Sequence, residues 1–338
     1  MSASSIPIVV SLATYKPRLS ALEQTLPYIL NQTLPFDILI INVQDDLTDD
    51  EFLKFLELKN LDHRISVRKA PAKWRSFNKF VYAYQTFPNS PIITIDDDIK
   101  YPSHMLAALY DFHKSHPDTI VAHELNPVAL DRSNHAIRNI MAADLKLRQK
   151  CFSKYLTGCA LFPPSIFKGT EDTLFDYDLF NEITQGTHDE LWMWIHSTCK
   201  GVPVVGLDYT WTFDADGALP PIPSSLRYIN GLASNVQSYD DRINKSAFGP
   251  LIYQVMDRTP VVFRVNHSNL MAITGHMEAI CRLYGSSFKI LFDCSGPDFL
   301  PSMTAVLVNS INRCGSGWVR NVSIKTDREG VFGNGKED

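Results

Sequence analysis

The chain has 338 residues, 45% of them hydrophobic and 20% charged, with a formal net charge of −5. That balance excludes a disordered chain, offers no basic excess for general nucleic-acid binding, and is long enough for roughly two domains of about 150 residues. No apolar run reaches the roughly 18 residues of a membrane span, and the opening MSASSIPIVVSLATY lacks the basic start of a signal peptide, so a cytoplasmic location is the expectation. Cys151, Cys159, Cys199, Cys281, Cys294 and Cys314 form no CxxC pair or zinc-like spacing and read as reduced, mostly structural thiols.

IPIVVSLA (6–13) reads as a buried strand, and apolar positions from Leu19 to Leu30 then keep helical spacing with Pro27 inside. FDILIINV (36–43) is a second strand. Thr48, with Glu51 three residues on, has the capping-box pattern for a helix ending near Leu58. A third strand at Ile65–Arg68 precedes KWRSFNKFVYAYQTF (73–87), whose Phe77, Phe80, Val81 and Tyr84 make one helical face. IITI (92–95) is a fourth strand, followed by a helix from Pro102 to His113 and a strand at Thr119–Ala122. Strands alternating with helices predict an α/β fold with a mostly parallel sheet flanked by helices, its right-handed crossovers placing the loops after Ala13, Val43 and Ile95 on one edge. From Glu124 to Lys150 the pattern fades. LTGCALF (156–162) reads as a strand, THDELWMWIHSTCKG (187–201) as a helix capped by Thr187 or Asp189, and Tyr239–Met256 as another helix. From residue 257 the chain restarts as a small βαβαβ unit, closing on GVFGNGKED as a frayed tail, so the division expected is residues 1–256 and 257–338.

The fourth strand runs straight into Asp96, Asp97 and Asp98. Strand alternation would turn Asp96 and Asp98 to one side and Asp97 to the other. Two converging carboxylates call for a shared proton or a cation, and Mg²⁺ or Mn²⁺ takes one or two carboxylates together with substrate phosphates. The other reading is a solvated acidic turn, with Asp98 or Ser103 capping the next helix.

Three blocks in this order resemble the GT-A-fold, family-2-like glycosyltransferases of bacterial surface-polysaccharide synthesis: VVSLATYKPRLSALEQTLPYILNQTLPFDILIINV, NKFVYAYQTFPNSPIITIDDDIKYP, and YLTGCALFPPSIF followed by HDELW. They extend over about residues 6–256. The resemblance implies a nucleotide-sugar donor whose diphosphate is held by Mn²⁺ or Mg²⁺ on Asp96 and Asp98, a DXD-type motif. Thr14, Tyr15, Arg18, Lys79 and Asp97 are carried over as donor-binding residues, Asp45 and Asp46 as further candidates for the base or ribose. Arg18 suits a phosphate because its guanidinium binds two oxygens at once. It also implies an inverting transfer to a hydroxyl of a glycan or lipid-linked acceptor. Glu190 or Asp189 would be the base, and Trp192 would lie on the acceptor side. The implied partners include no nucleic acid, and peripheral membrane association stays open.

The same aspartates allow a haloacid-dehalogenase-like phosphohydrolase, with Asp96 as nucleophile and Asp98 as acid, although Lys100 stands where that family prefers Thr or Val. A third reading is a sugar-nucleotide-binding scaffold without catalysis. Asp189 and Glu190 are then acids compensating a helix dipole, and His188 and His196 are structural.

Overall fold

The computed structural model describes residues 6–123, 128–131, 134, 136–139, 149–151, 158–207, 236–259, 261–265, 270–275, 277–284, 290–295, 300–314, 322–326 and 331–333. The first part alternates as the pattern predicts: β1 (Val9–Thr14), α1 (Leu19–Leu30), β2 (Ile38–Gln44), α2 (Asp49–Leu56), β3 (Ile65–Ala70), α3 (Asn78–Thr86), β4 (Ile92–Ile95), α4 (Met105–Ser115) and β5 (Ile120–Ala122). There follow the strands β6 (Val128–Asp131), β7 (Ala136–Asn139), β8 (Gln149–Cys151) and β9 (Cys159–Phe162), the helices α5 (Glu171–Leu174), α6 (Tyr177–Thr184) and α7 (Asp189–Cys199), and β10 (Val204–Gly206). The last part comprises α8 (Val236–Lys245), α9 (Phe248–Arg258), β11 (Val261–Arg264), α10 (Leu270–Gly275), α11 (Met277–Tyr284), β12 (Ile290–Cys294), α12 (Pro301–Arg313), β13 (Val322–Thr326) and β14 (Val331–Gly333).

Twelve strands form one sheet in the order β14-β13-β12-β11-β8-β10-β5-β9-β4-β1-β2-β3, and β6 and β7 pair separately as a hairpin. The arm β4-β1-β2-β3 is parallel throughout, and so is β11-β12-β13. Because β9 and β8 each run antiparallel to both neighbours, the strands on either side of them keep one direction. With β14 the third reversed strand, nine of the twelve point the same way. This is the expected α/β class, and the turns after Thr14, Gln44, Ala70 and Ile95 share one edge, where ligands of open α/β sheets bind.

The period of two along the strands divides the core into two layers. Val10, Leu12, Ile41 and Ile93 face a layer with Leu22, Leu26 and Ile29 of α1 and Leu106 and Leu109 of α4. Val9, Ile40 and Ile92 face the opposite layer, where Phe77, Phe80, Trp192 and Trp194 pack. Both faces of β4 are therefore covered, and the polar residues that follow it are the first that need not be apolar.

Several local expectations hold and several do not. Thr48 and Glu51 make the capping box in full, each side chain bonding the other's backbone amide. Thr187 does not cap α7; its hydroxyl donates to the Thr184 carbonyl, and His188 takes the cap position, its side chain making no capping bond to the helix. Asp98 and Ser103 do not cap α4; His104 holds the cap position, its side chain making no capping bond to the helix. The single helix expected over 239–256 is two. Ser246 breaks it, its hydroxyl donating to the Ile243 carbonyl and accepting from the Phe248 amide, in competition with the helical ladder. Gly249 follows because the chain folds back tightly: a Cβ there would lie 2.7 Å from the Ile243 carbonyl oxygen. Beyond residue 257 strands and helices alternate as expected, with the stretch between the first two strands forming two helices, Leu270–Gly275 and Met277–Tyr284. The frayed tail is corrected in part, since Val331–Gly333 pairs with β13.

Candidate functional site

The site begins where β4 stops. Ile92 to Ile95 are buried, and Asp96, Asp97 and Asp98 form a turn. Two side chains shape that turn from beneath. The Tyr101 hydroxyl accepts from the Asp96 amide at 2.9 Å and donates to the Gly158 carbonyl at 2.6 Å. The Thr25 hydroxyl donates to the Asp97 carbonyl at 2.9 Å, tying the turn to α1. Gly158 has φ +83, a left-handed conformation that glycine adopts without strain, and this carbonyl is the one Tyr101 needs.

Strand alternation fails here because the strand ends at Ile95. Asp97 and Asp98 share one cation instead of pointing apart: the Arg18 guanidinium lies 3.2 Å from Asp97 Oδ1 through Nη1 and bonds Asp98 Oδ2 through Nη2. Arg18 closes the short 3₁₀ turn Lys16–Arg18 after β1 and is itself buried, its Nε without a partner. It therefore sits against the aspartates, with their carboxylates as its first partners. Burial, against the pull of Arg18, pushes the Asp97 carboxyl up to about 7. Burial and the charge of Asp96 also raise Asp98. Thr14, at the end of β1, is buried with its hydroxyl unpartnered, and Tyr15 beside it is half-buried.

Lys79 corrects a second expectation. It lies in the first turn of α3, 5% exposed, and its Nζ is 3.1 Å from Asp96 Oδ1, 3.1 Å from Asp189 Oδ2 and 3.4 Å from Glu190 Oε1. Its ammonium bonds Asp96 and Glu190 and lies in charge contact with Asp189, so its place is inside the acid cluster. The three acids together hold it well above the ordinary lysine range even though burial opposes them.

Asp189 and Glu190 open α7. Asp189 is 1% exposed and accepts a 2.6 Å hydrogen bond from the Ser76 hydroxyl. Burial would raise it, but Lys79 and the bonds from Ser76 and Glu190 hold its carboxyl below the usual range. Burial first, then the neighbouring Asp189, pushes Glu190 up to about 8. The two acids are thus pushed in opposite directions, Glu190 toward holding its proton and Asp189 toward losing it. The Glu190 side chain is 21% exposed, so it is the member that opens outward. Ser76 is placed by a strained neighbour: Arg75 has φ 46 and ψ −126, an uncommon conformation for a residue with a Cβ, of the kind that surrounding structure must hold in place.

Trp192 is not an acceptor wall. It is fully buried, its indole N–H donates to the Leu174 carbonyl at 2.8 Å, and Phe180, His196 and Phe248 pack edge-on around it. His196 is a core histidine kept neutral by burial, which pushes it down to about 4. His188 packs edge-on against Tyr239. Asp45 is exposed and accepts from the Ala72 amide at 2.8 Å, which ties the turn after β2 to the turn after β3; Asp46 is exposed beside it. Sequence reasoning missed Tyr101 and Ser76. The only signal for Tyr101 was its place just after the aspartates, and Ser76, between Arg75 and Lys79, carried none.

Among the described residues no group of three or more His, Cys, Asp or Glu side chains is arranged to enclose a metal ion. Asp96 and Asp98, each about a third exposed, instead fit a cation that takes its remaining ligands from a bound phosphate.

No family model matches the chain, and no curated protein matches it. Among solved structures it is similar to the crystal structure of S. aureus TarS, at 12% identity and TM-score 0.41 over 60% of this chain and 34% of that one. The chain thus spans about a third of that protein's length. It is also similar to S. aureus TarS 1-349 in complex with UDP, at 11% identity and TM-score 0.42, over 91% of this chain and 89% of that one. Among the described residues no helix is long and apolar enough to cross a membrane.

Proposed function

We propose that the chain is a metal-dependent glycosyltransferase of GT-A type that moves a sugar from a nucleotide-diphosphate-sugar to an acceptor hydroxyl, with inversion. The observation that carries this reading is the shared Lys79: it joins the outward-facing Asp96 of the aspartate turn to the outward-facing Glu190 of the acid pair, at the carboxyl edge of parallel strands. Donor phosphates and a proton acceptor are what glycosyl transfer needs side by side. A bound Mn²⁺ or Mg²⁺ would stabilise the charge developing on the leaving diphosphate.

The chain's own residues supply the rest. Glu190 takes the acceptor hydroxyl proton as the acceptor oxygen bonds to the anomeric carbon and the bond from that carbon to the diphosphate oxygen breaks. Glu190 must be ionised to do this, and the charge of Asp96 is one of the causes holding its proton on. Neutralising Asp96 on donor binding therefore prepares the base. Asp189, held by Ser76 and Lys79, orients Glu190. Arg18 holds the turn of Asp97 and Asp98 against the end of β1. The phosphohydrolase alternative needs only Asp96 and Asp98 and leaves Lys79 and the acid pair of α7 without a role.

The test is a melting-temperature screen of nucleotide-diphosphate-sugars with and without Mn²⁺, since a ligand that binds the native state raises the melting point by mass action. A rise for at least one donor that requires Mn²⁺ and disappears in Asp98→Ala is expected. A flat response across donors would overturn the proposal, and phosphate release from a phosphomonoester that depends on Asp96 would replace it.

A further inference from the structure

We infer that Lys79 is a positioning residue that couples the aspartate turn to the acid pair, competing with a divalent cation for Asp96 while it holds Asp189 and Glu190. The inference deepens the proposed function and rests on it.

Five acids, Asp96, Asp97, Asp98, Asp189 and Glu190, are gathered against two cations, Arg18 and Lys79. The two cations divide the work unequally. Arg18 serves only residues of the turn, whereas Lys79 reaches both segments: its partners come from the end of β4 and from the first turn of α7, 17, 110 and 111 positions away in sequence for Asp96, Asp189 and Glu190. The side chain is 7% exposed, so no water competes for its hydrogens to any extent. Its helix is fixed independently, because Asn78 bonds the Pro71 carbonyl and Phe80 is locked among Tyr84, Phe162 and Phe167.

A positive charge 3.1 Å from Asp96 Oδ1 repels any cation brought to that carboxylate. When Asp96 turns to such a cation, the ammonium's attraction falls wholly to Asp189 and Glu190. Occupancy of the donor side is thereby felt at the proton acceptor without movement of either backbone segment.

The experiment measures Mn²⁺ binding by electron paramagnetic resonance, and separately the transfer rate with the donor found in the melting screen. The full chain is compared with Lys79→Met, and Asp189→Asn with Lys79→Met/Asp189→Asn. The second pair is included because Lys79→Met alone leaves Asp189 buried without its counter-charge, which can unfold a protein. Removing Lys79 should tighten Mn²⁺ binding, on the order of tenfold for one unit charge removed at this range, while kcat in Lys79→Met falls about a hundredfold with donor KM unchanged. A residue needed only for folding would weaken both. Mn²⁺ affinity that stays constant or weakens in both pairs, or a kcat that survives in Lys79→Met, would overturn the coupling. If the unsubstituted chain binds no Mn²⁺, or binds it equally well as Asp98→Ala, the metal reading itself falls and takes this inference with it.

Discussion

The sheet contains two parallel arms that run the same way, and among the described residues the candidate site lies at the end of one of them. In β4-β1-β2-β3 the carboxyl edge meets Arg18, Lys79 and five acids. In β11-β12-β13 the described residues at the equivalent edge include Asp293, but its Oδ1 is spent on the amide and hydroxyl of Ser295 two residues on. The difference is what the helices deliver. α3 and α7 bring a buried ammonium and an acid pair to β4, whereas Asp293 closes its own turn. A parallel strand end is an opportunity, and the chemistry comes from side chains sent to it from elsewhere in the chain.

The sharpest way to break this comparison is to neutralise one acid in each arm. Glu190→Gln removes the proposed proton acceptor and keeps the shape, so on that proposal kcat should fall by about 10²–10⁴ while Mn²⁺-dependent donor binding stays within about twofold. Asp293→Asn should leave both unchanged. If Asp189→Asn arrests transfer and Glu190→Gln does not, the base is Asp189 and the exposed member of the pair is the positioning one. Comparable losses for Glu190→Gln and Asp293→Asn would mean that both arms contribute to one site.

The next effect is on stability. Trp192 is fully buried and hydrogen-bonded, so Trp192→Ala should cost about 3–5 kcal/mol of unfolding free energy in a denaturant titration. A variant of wild-type stability with a raised acceptor KM would restore the acceptor-wall reading.

A smaller and reversible effect comes from His196. Its folded pKa lies near 4, below the roughly 6.5 of an unfolded histidine, so the unfolded chain binds the proton first. Stability from this group is complete above about pH 6.5 and is lost as pH falls toward 4, with a slope of about 1.4 kcal/mol per pH unit. His196→Phe should flatten that slope in urea titrations between pH 7 and 4.5; an unaltered slope would assign the acid lability to other groups.

Much of this was legible in the sequence. The runs IPIVVSLA, FDILIINV and IITI are too apolar and β-branched to be anything but buried strands, and their spacing with helical stretches fixes the parallel arm and its common edge. The acidic turn and the acid pair were visible as residue types. Their partners were not, because an ion pair between Lys79 and Glu190 spans 111 positions and leaves no local trace. The facing of Asp97 was misread for a different reason: alternation holds only inside a strand, and β4 ends one residue before the aspartates. Trp192 shows a third kind of loss, since helical spacing marks a packed aromatic and a sugar-stacking one identically.

The smallest expected effect falls on Tyr101, which separates turn geometry from charge. Its hydroxyl joins the Asp96 amide to the Gly158 carbonyl, and Tyr101→Phe removes that oxygen without altering any acid or cation of the cluster. Two buried backbone groups then lose their partner, at a cost of about 1–3 kcal/mol in stability. If the hydroxyl also sets the angle at which Asp96 leaves β4, Mn²⁺ affinity should fall a few-fold while the acid slope attributed to His196 is unchanged. A loss of stability with unaltered Mn²⁺ affinity would show that Arg18 and Lys79 alone hold the turn, and that the backbone bond serves only the fold.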